Sequence, residues 1–337
     1  MPKKNIIVVV AIILIIAIAL SSFVYLNSQT PYNGKVESID VAYSPFESLT
    51  LFWVAEQQGF FSQNALNVTA HKYDSGAGTL SGVINGEANI AVGTSEFPLV
   101  IRALNRESIQ TMGTISKSNF VYLVAMADKG ISNISDLKGK VIGTTFGTIA
   151  HYYLGRFLVL NGLRIEDVTL VDLKTPTDWV DAVVNGSIDA VATAQPYANA
   201  AKEGLGTNAV VWSINSNQPQ FTQVVATNKW IADNPKLCSS FLRALYQAEE
   251  FVAGHSTEAE EIVKQQMNFT DAYMETVWAQ NQYSLSLDPA LIQAMESEAR
   301  WLINNNLTNQ TTVPDFMNYV YVNGLASVKP ESVTISL

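Results

Sequence analysis

Two stretches of this 337-residue chain echo each other at a fixed distance, and that echo constrains the fold more than any other feature. Gly82-Val83-Ile84-Asn85-Gly86-Glu87-Ala88-Asn89-Ile90-Ala91-Val92-Gly93-Thr94 is matched 100 positions later by Ala182-Val183-Val184-Asn185-Gly186-Ser187-Ile188-Asp189-Ala190-Val191-Ala192-Thr193-Ala194. In each copy the end of a helix runs into Asn-Gly, whose glycine can take the left-handed cap. A short strand follows, then a loop: Thr94-Ser95-Glu96-Phe97 in one copy and Ala194-Gln195-Pro196-Tyr197 in the other. The plainer explanation is a chance likeness between two common helix-to-strand connections. The stronger one is two similar lobes, each presenting a loop at the carboxyl end of a strand, where ligands bind in open α/β sheets. Two such lobes face to face would make a cleft.

The rest of the chain alternates in the same way. Val36–Tyr43 reads as a strand that ends in the turn-rich Ser44-Pro45-Phe46-Glu47-Ser48, and a helix from Leu51 stops at Gly59. A second strand, Leu66–Tyr73, leads to Asp74-Ser75-Gly76-Ala77-Gly78-Thr79-Leu80-Ser81-Gly82, one residue too long for the dinucleotide fingerprint and without a clear acidic partner. The alternation predicts α/β layers with largely parallel strands. Between Asp136 and Leu154 the chain reads as a turn at Gly139, a strand from Val141, a loop, and a helix starting near Gly147-Thr148. Ile149, Tyr152, Tyr153, Phe157 and Leu160 give that helix a buried stripe. Thr148 is expected to cap it by accepting a bond from the first free amides. A helix start of this kind turns amides and a positive dipole end toward an anion or a carbonyl, although an ordinary strand-to-helix connection would look the same. Polar stretches at Thr114–Val121 and Ser213–Gln223 are the expected crossings between lobes, and a chain that crosses twice makes a hinge. The division expected is 36–118 with 224–337 for one lobe and 119–223 for the other. Beyond Pro235 the reading is helical: Leu237–Ala253, Glu258–Met267, Asp271–Gln282, Asp288–Asn305 and a short Asp315–Val320.

A net charge of −10, with no basic run beyond Lys3-Lys4, argues against nucleic acid as a partner. Ile6–Leu26 is apolar apart from Ser21 and Ser22, long enough to span a bilayer core of about 30 Å. With Lys3 and Lys4 before it, residues 1–27 are expected to anchor the chain with the rest outside, on a linker at 28–35. The competing reading is a signal segment cut near Ala19-Leu20-Ser21, which would release the protein. The one cysteine, Cys238, sits in a helical pattern as a small hydrophobe, so a disulfide within the chain, a lipid anchor or a thiolate metal site is not expected. His71, His151 and His255 lack metal-ligand spacing and no nucleophile elbow occurs, so neither metal, cofactor nor catalysis is expected. Sequons at Asn67, Asn133, Asn185, Asn268, Asn306 and Asn309 would permit glycosylation outside the cell.

Taken together, the chain resembles the extracytoplasmic solute-binding proteins of ABC importers, in the branch that handles aliphatic sulfonates, taurine or nitrate and includes binders of thiamine-pyrimidine precursors. The residues that carry the likeness are Leu80–Thr94, Ile131–Gly143 with its Asp136-Leu137-Lys138-Gly139-Lys140 phrase, Gly147–Leu154, Asn185-Gly186 with Ile188-Asp189-Ala190, Gln195-Pro196-Tyr197, and Asn228–Pro235. The resemblance implies a two-lobe type II periplasmic-binding-protein fold with a hinge, a monomer that takes a small solute between its lobes, and an ABC permease in the same membrane as partner. It points to Ser44, Pro45, Phe46, Thr94, Ser95, Gly147, Thr148, His151, Gln195 and Tyr197 as ligand contacts. Phe46, Phe97 and Tyr197 would wall an apolar body. Glu47 and Glu96 would receive an amine such as taurine's, the blander reading being solvated loop carboxylates. Family members that bind strong anions often carry an arginine in the cleft. Here Arg102, Arg106 and Arg156 all fall in helical stretches, so a monoanion or a neutral polar heterocycle fits better. The rival classes are a pyrimidine-synthesising enzyme of the same fold, whose cysteine-rich motif is absent, and a membrane-anchored sensor.

Overall fold

Among the described residues the chain forms eleven strands in two separate sheets, most of them from β-branched and aromatic runs. The computed structural model describes residues 35–335, so the expected anchor or signal segment at 1–27 and all but the last residue of the linker lie outside the described residues. Among the described residues no helix is long and apolar enough to cross a membrane. The strands are β1 (Glu37–Tyr43), β2 (Leu66–Lys72), β3 (Ile90–Ser95), β4 (Ile109–Ser118), β5 (Val121–Met126), β6 (Val141–Thr144), β7 (Thr169–Asp172), β8 (Ala190–Ala194), β9 (Ala209–Ser213), β10 (Gln220–Thr227) and β11 (Asn281–Ser286). One sheet runs β11-β4-β10-β3-β1-β2 and the other β7-β6-β8-β5-β9.

The echo in the sequence is an echo in space. Helix Gly76–Ile84 precedes β3 as helix Pro176–Val184 precedes β8. Gly86 and Gly186 close those helices at φ +79° and +77°, a conformation in which a side chain is strained. β3 lies beside β1 in its sheet as β8 lies beside β6 in the other, both pairs parallel. The expectation of largely parallel strands needs correction, because β10 and β5 join β3 and β8 antiparallel. The reason is the route of the chain. It leaves the first sheet at the end of β4, enters the second as β5, and returns from β9 into β10, and the two entering strands, β5 and β10, run against their neighbours on both sides. The crossings are Asn119-Phe120 and Ile214–Pro219, and the expected boundary at 223–224 falls inside β10. A second correction concerns Asp271–Gln282: the helix ends at Val277, Trp278–Gln280 make one 3-10 turn, and Asn281–Ser286 form β11 on the edge of the first sheet.

Helix Ile149–Leu160 explains how the sheets sit together. Nine of its residues are buried, among them Ile149, Tyr153 and Leu154, so it is apolar around most of its circumference, as a helix covered on both sides must be. One face lies on the second sheet and another on helix Glu96–Leu104 and helix Pro289–Asn304 of the first. The seam is aromatic. Phe97 stacks on Tyr152 at 5.6 Å between ring centroids, and Trp301 stands edge-on to Tyr152 at 5.5 Å and to His151 at 5.2 Å. Trp301 lies flat against Gly155, where a Cβ would come within 2.4 Å of its Cζ2 atom. Gly155→Ala is therefore expected to force the indole out of place and to lower stability by about 1–3 kcal/mol, the usual cost of overpacking. A urea midpoint that falls while the slope stays constant would register this loss; an unchanged midpoint would mean that the seam yields freely.

Candidate functional site

Between the two sheets lies a cavity of about 590 Å³ including its mouth. Its lining comes from both sides: Phe46, Ser75, Gly76, Ala77, Ser95 and Pro98 from the first sheet and its helices, Thr145, Thr148, Ile149, Ala150, Trp179 and Thr193 from the second, and Phe120 and Gln220 from the ends of the crossings. These positions match the echo: Phe46 follows β1 as Thr145 follows β6, and Ser95 ends β3 as Ala194 ends β8.

Two helix starts open into this space. At Gly76–Ile84, the Ser75 hydroxyl accepts a bond from the Gly78 amide at 3.2 Å, while Gly76 and Ala77 face the cavity. Glycine is required at position 76, since a Cβ there would come within 2.7 Å of the Thr94 Cα. At Ile149–Leu160 the cap differs from expectation. Thr148 does stand at the N-cap position, but its hydroxyl donates to the Thr145 carbonyl at 2.7 Å and accepts from no helix amide. The Thr148 carbonyl takes the His151 amide at 3.1 Å, and among the described residues the Ile149 and Ala150 amides have no partner within the chain. With the hydroxyl tied back to the loop, those amides and the dipole end are left for whatever enters. Among the described residues no Lys, Arg, Asp, Glu or His lines the cavity, so the polar groups that face it are backbone amides, hydroxyls and the Gln220 amide.

The residues singled out in the sequence divide into three groups. Phe46, Ser95 and Thr148 line the cavity. Ser44, Pro45, Thr94, Gly147 and Gln195 shape it from behind. The buried Ser44 hydroxyl donates to the Gly93 carbonyl at 2.7 Å and pins the end of β1 to β3, while Pro45 is half-buried beside it. Thr94 is buried with its hydroxyl on the Ser95 carbonyl, Gly147 bends the loop at φ +77°, and the Gln195 side chain accepts from the Asn199 amide at the start of helix Tyr197–Leu205. Tyr197 stands behind the wall, edge-on to Phe46 at 6.4 Å and to Trp179 at 5.1 Å. His151 points elsewhere. It is stacked on Phe146 at 4.7 Å in the seam, and burial holds its imidazole neutral with a pKa lowered to about 4 against the opposing pull of Asp172. Phe97, expected as a possible ligand wall, is also spent in the seam.

The two loop carboxylates are not solvated. Glu47 and Glu96 are fully buried. Burial pushes the Glu47 carboxyl up to about 7, tempered by its own backbone and by Tyr273. Glu96 accepts from the Phe221 amide at 3.0 Å and sits beside Glu298, which is equally buried. Burial raises Glu96 to about 8, and burial together with the Glu96 charge raises Glu298 well above the carboxylate range. Two adjacent buried carboxyls cannot both ionise cheaply, so this pair holds a proton at neutral pH.

Sequence reading missed Ser75, Gly76, Ala77, Phe120, Trp179 and Gln220. The signal for the first three was the glycine-rich Asp74–Gly82 run, which fails as a nucleotide fingerprint and is a helix start facing the cavity. Trp179 lies in the helix that the echo pairs with Gly76–Ile84, but nothing in the spacing turns it inward.

The fold and part of the sequence have relatives. The chain is 25% identical to YtlA of Bacillus subtilis (strain 168) over 296 residues, 85% of this chain and 86% of YtlA. It is 32% identical over 143 residues to the taurine-binding periplasmic protein of Escherichia coli (strain K12), a match that covers 42% of this chain and 43% of that one. In three dimensions it superposes on the alkanesulfonate-binding protein SsuA from Xanthomonas axonopodis pv. citri bound to MOPS with a TM-score of 0.74 at 17% identity, covering 86% of this chain and 99% of SsuA. The two-sheet architecture is thus the periplasmic-binding-protein fold. A family model described as NMT1/THI5 like matches residues 47–259, and the chain belongs to that family.

Proposed function

We propose that this protein is the solute-binding component of an ABC importer, which captures a small monoanion such as a sulfonate outside the membrane and hands it to a permease in the same membrane. The observation that carries the reading is the convergence of two helix starts, Gly76-Ala77 and Ile149-Ala150, on one cavity without a charged side chain. Such amides and dipole ends favour one negative charge, and with no arginine or lysine beside them a dianion would be under-compensated. The sheets would act as two lobes, 36–118 with 224–337 against 119–223, hinged at the crossings, and the apolar segment at 1–27 would tether a monomer to the outer face or be cleaved to release it. The likeness to a taurine-binding protein and to SsuA supports the same class.

A binder of a thiamine-pyrimidine precursor is the second reading, favoured by Trp179, whose indole N–H is already donated to the Leu173 carbonyl at 3.1 Å so that the ring has only stacking to offer. Catalysis through the one cysteine is opposed by its setting, since the Cys238 thiol is buried in a helix and pushed up to about 12 by desolvation. The test is a thermal shift of the full-length chain against ethanesulfonate, taurine, nitrate, bicarbonate and a thiamine-pyrimidine precursor. A specific ligand at a hundredfold excess over its dissociation constant adds about 2.7 kcal/mol of stability. A shift with sulfonates that is lost in Thr148→Pro, which remodels the helix start, supports the reading. A shift with the pyrimidine precursor alone would transfer the function to the second reading.

A further inference from the structure

Resting on that reading of the cavity, we infer that the site is built for a monoanion with a flat aromatic body and selects against both the zwitterion taurine and small inorganic anions. The inference comes from what surrounds the helix starts. Phe120, Phe46, Tyr197 and Trp179 form a continuous run of rings, with centroids 6.2, 6.4 and 5.1 Å apart, that passes from the first crossing through the first sheet's loop to two helices of the second. Three of the four, Phe46, Phe120 and Trp179, reach the cavity surface. An anion held at the amides of Ile149 and Ala150 would direct the rest of the molecule along this wall. Offset or edge-on ring contacts there are worth about 0.5–1.5 kcal/mol each beyond the area they bury.

Taurine fits poorly for a reason that magnitudes decide. Its ammonium would enter a space toward which two helix starts already point their positive ends. Neither nearby carboxylate lines that space: Glu47 is buried behind it and Asp74 is out in solvent. An aromatic face returns about 0.5–2 kcal/mol to a cation, less than the several kcal/mol needed to strip an ion of water without a paired charge. Nitrate and bicarbonate have no apolar body to lay on Phe46, Phe120 and Trp179, so they would forgo the ring contacts altogether.

The experiment is calorimetric titration of the full-length chain with benzenesulfonate, ethanesulfonate and taurine, repeated on Trp179→Leu and Phe46→Leu. Benzenesulfonate is expected to bind at least tenfold tighter than ethanesulfonate, and taurine at least tenfold weaker. Each leucine variant should bring benzenesulfonate to within about threefold of ethanesulfonate, because it costs the aromatic ligand more than the aliphatic one. Having two variants from different lobes keeps the test decisive should one of them fail to fold. Ethanesulfonate and taurine binding equally, or benzenesulfonate showing no advantage in the native chain, overturns the inference and leaves the anion-binding reading intact. Binding of none of the three overturns both.

Discussion

Glu298→Gln will make this protein more stable at pH 8, by about 2–4 kcal/mol, and the gain will fade to within about 1 kcal/mol of zero at pH 5. The unfolded chain releases its carboxyl protons near pH 4.3. In the folded protein Glu96 keeps its proton to about pH 8, and Glu298 is raised well above the carboxylate range, because both are buried and adjacent. A carboxyl whose pKa is raised by folding stabilises the fold fully below its unfolded pKa, and that stability drains away as pH climbs toward the folded value. Each excess proton held by the folded state contributes a slope of about 1.4 kcal/mol per pH unit. Glu47, raised to about 7, adds to the same trend over the lower part of the range. His151 works in the opposite sense but in a different window. Its pKa is lowered to about 4, so the stability from its neutral ring is present above pH 6.5 and lost as pH falls toward 4. Between pH 6.5 and 8 the buried carboxyls therefore act without it. Chemical denaturation at half-unit steps across that window should show the native chain weakening steadily and the variant on a shallower line. Parallel lines would mean that Glu298 is not protonated in the folded state.

The second large effect concerns binding. Ala150→Asp is expected to weaken any sulfonate ligand by at least about a hundredfold and to leave the fold intact. Ala150 is in the first turn of Ile149–Leu160 and lines the cavity. A carboxylate in a first turn is favoured by the helix dipole, so the helix should tolerate it. The same carboxylate would occupy the place of the incoming anion, and like charges brought together at a site cost several kcal/mol, with 1.4 kcal/mol to each factor of ten. Titration of Ala150→Asp beside Ala150→Ser separates charge from bulk. If both variants bind as well as the native chain, the anion does not sit at this helix.

How much of this was legible depended on whether the physical cause was local. The echo between 82–94 and 182–194 was, because each Asn-Gly fixes a helix end and the strand after it through neighbouring residues. β11 was not: Asn281-Gln282-Tyr283-Ser284 has no β-branched residue and becomes a strand only by pairing with β4, far away in sequence. Glu298 carried a signal that went unread. Leu291, Ala294, Met295, Ala299 and Leu302 form the buried stripe of their helix, and Glu298 falls on that stripe. A carboxylate on an apolar stripe announces its own burial. Glu47 and Glu96 gave no such sign, since each follows a loop whose path into the core is set by strands brought together from other parts of the chain. Trp179 and Phe120 were invisible as wall residues because a ring at helical spacing, or at a strand start, looks the same whether it meets a neighbour or a cavity.

The position of Trp301 gives the molecule its own optical gauge. Its indole is wedged between His151, Tyr152 and Gly155 of the second sheet's helix while its backbone belongs to the first. A rotation about the crossings would draw that ring out of its slot toward water and shift its emission to the red. With Trp53, Trp179, Trp212, Trp230 and Trp278 replaced, the emission of Trp301 alone would report any such rotation in real time, and stopped-flow mixing with a sulfonate would give its rate without an attached dye.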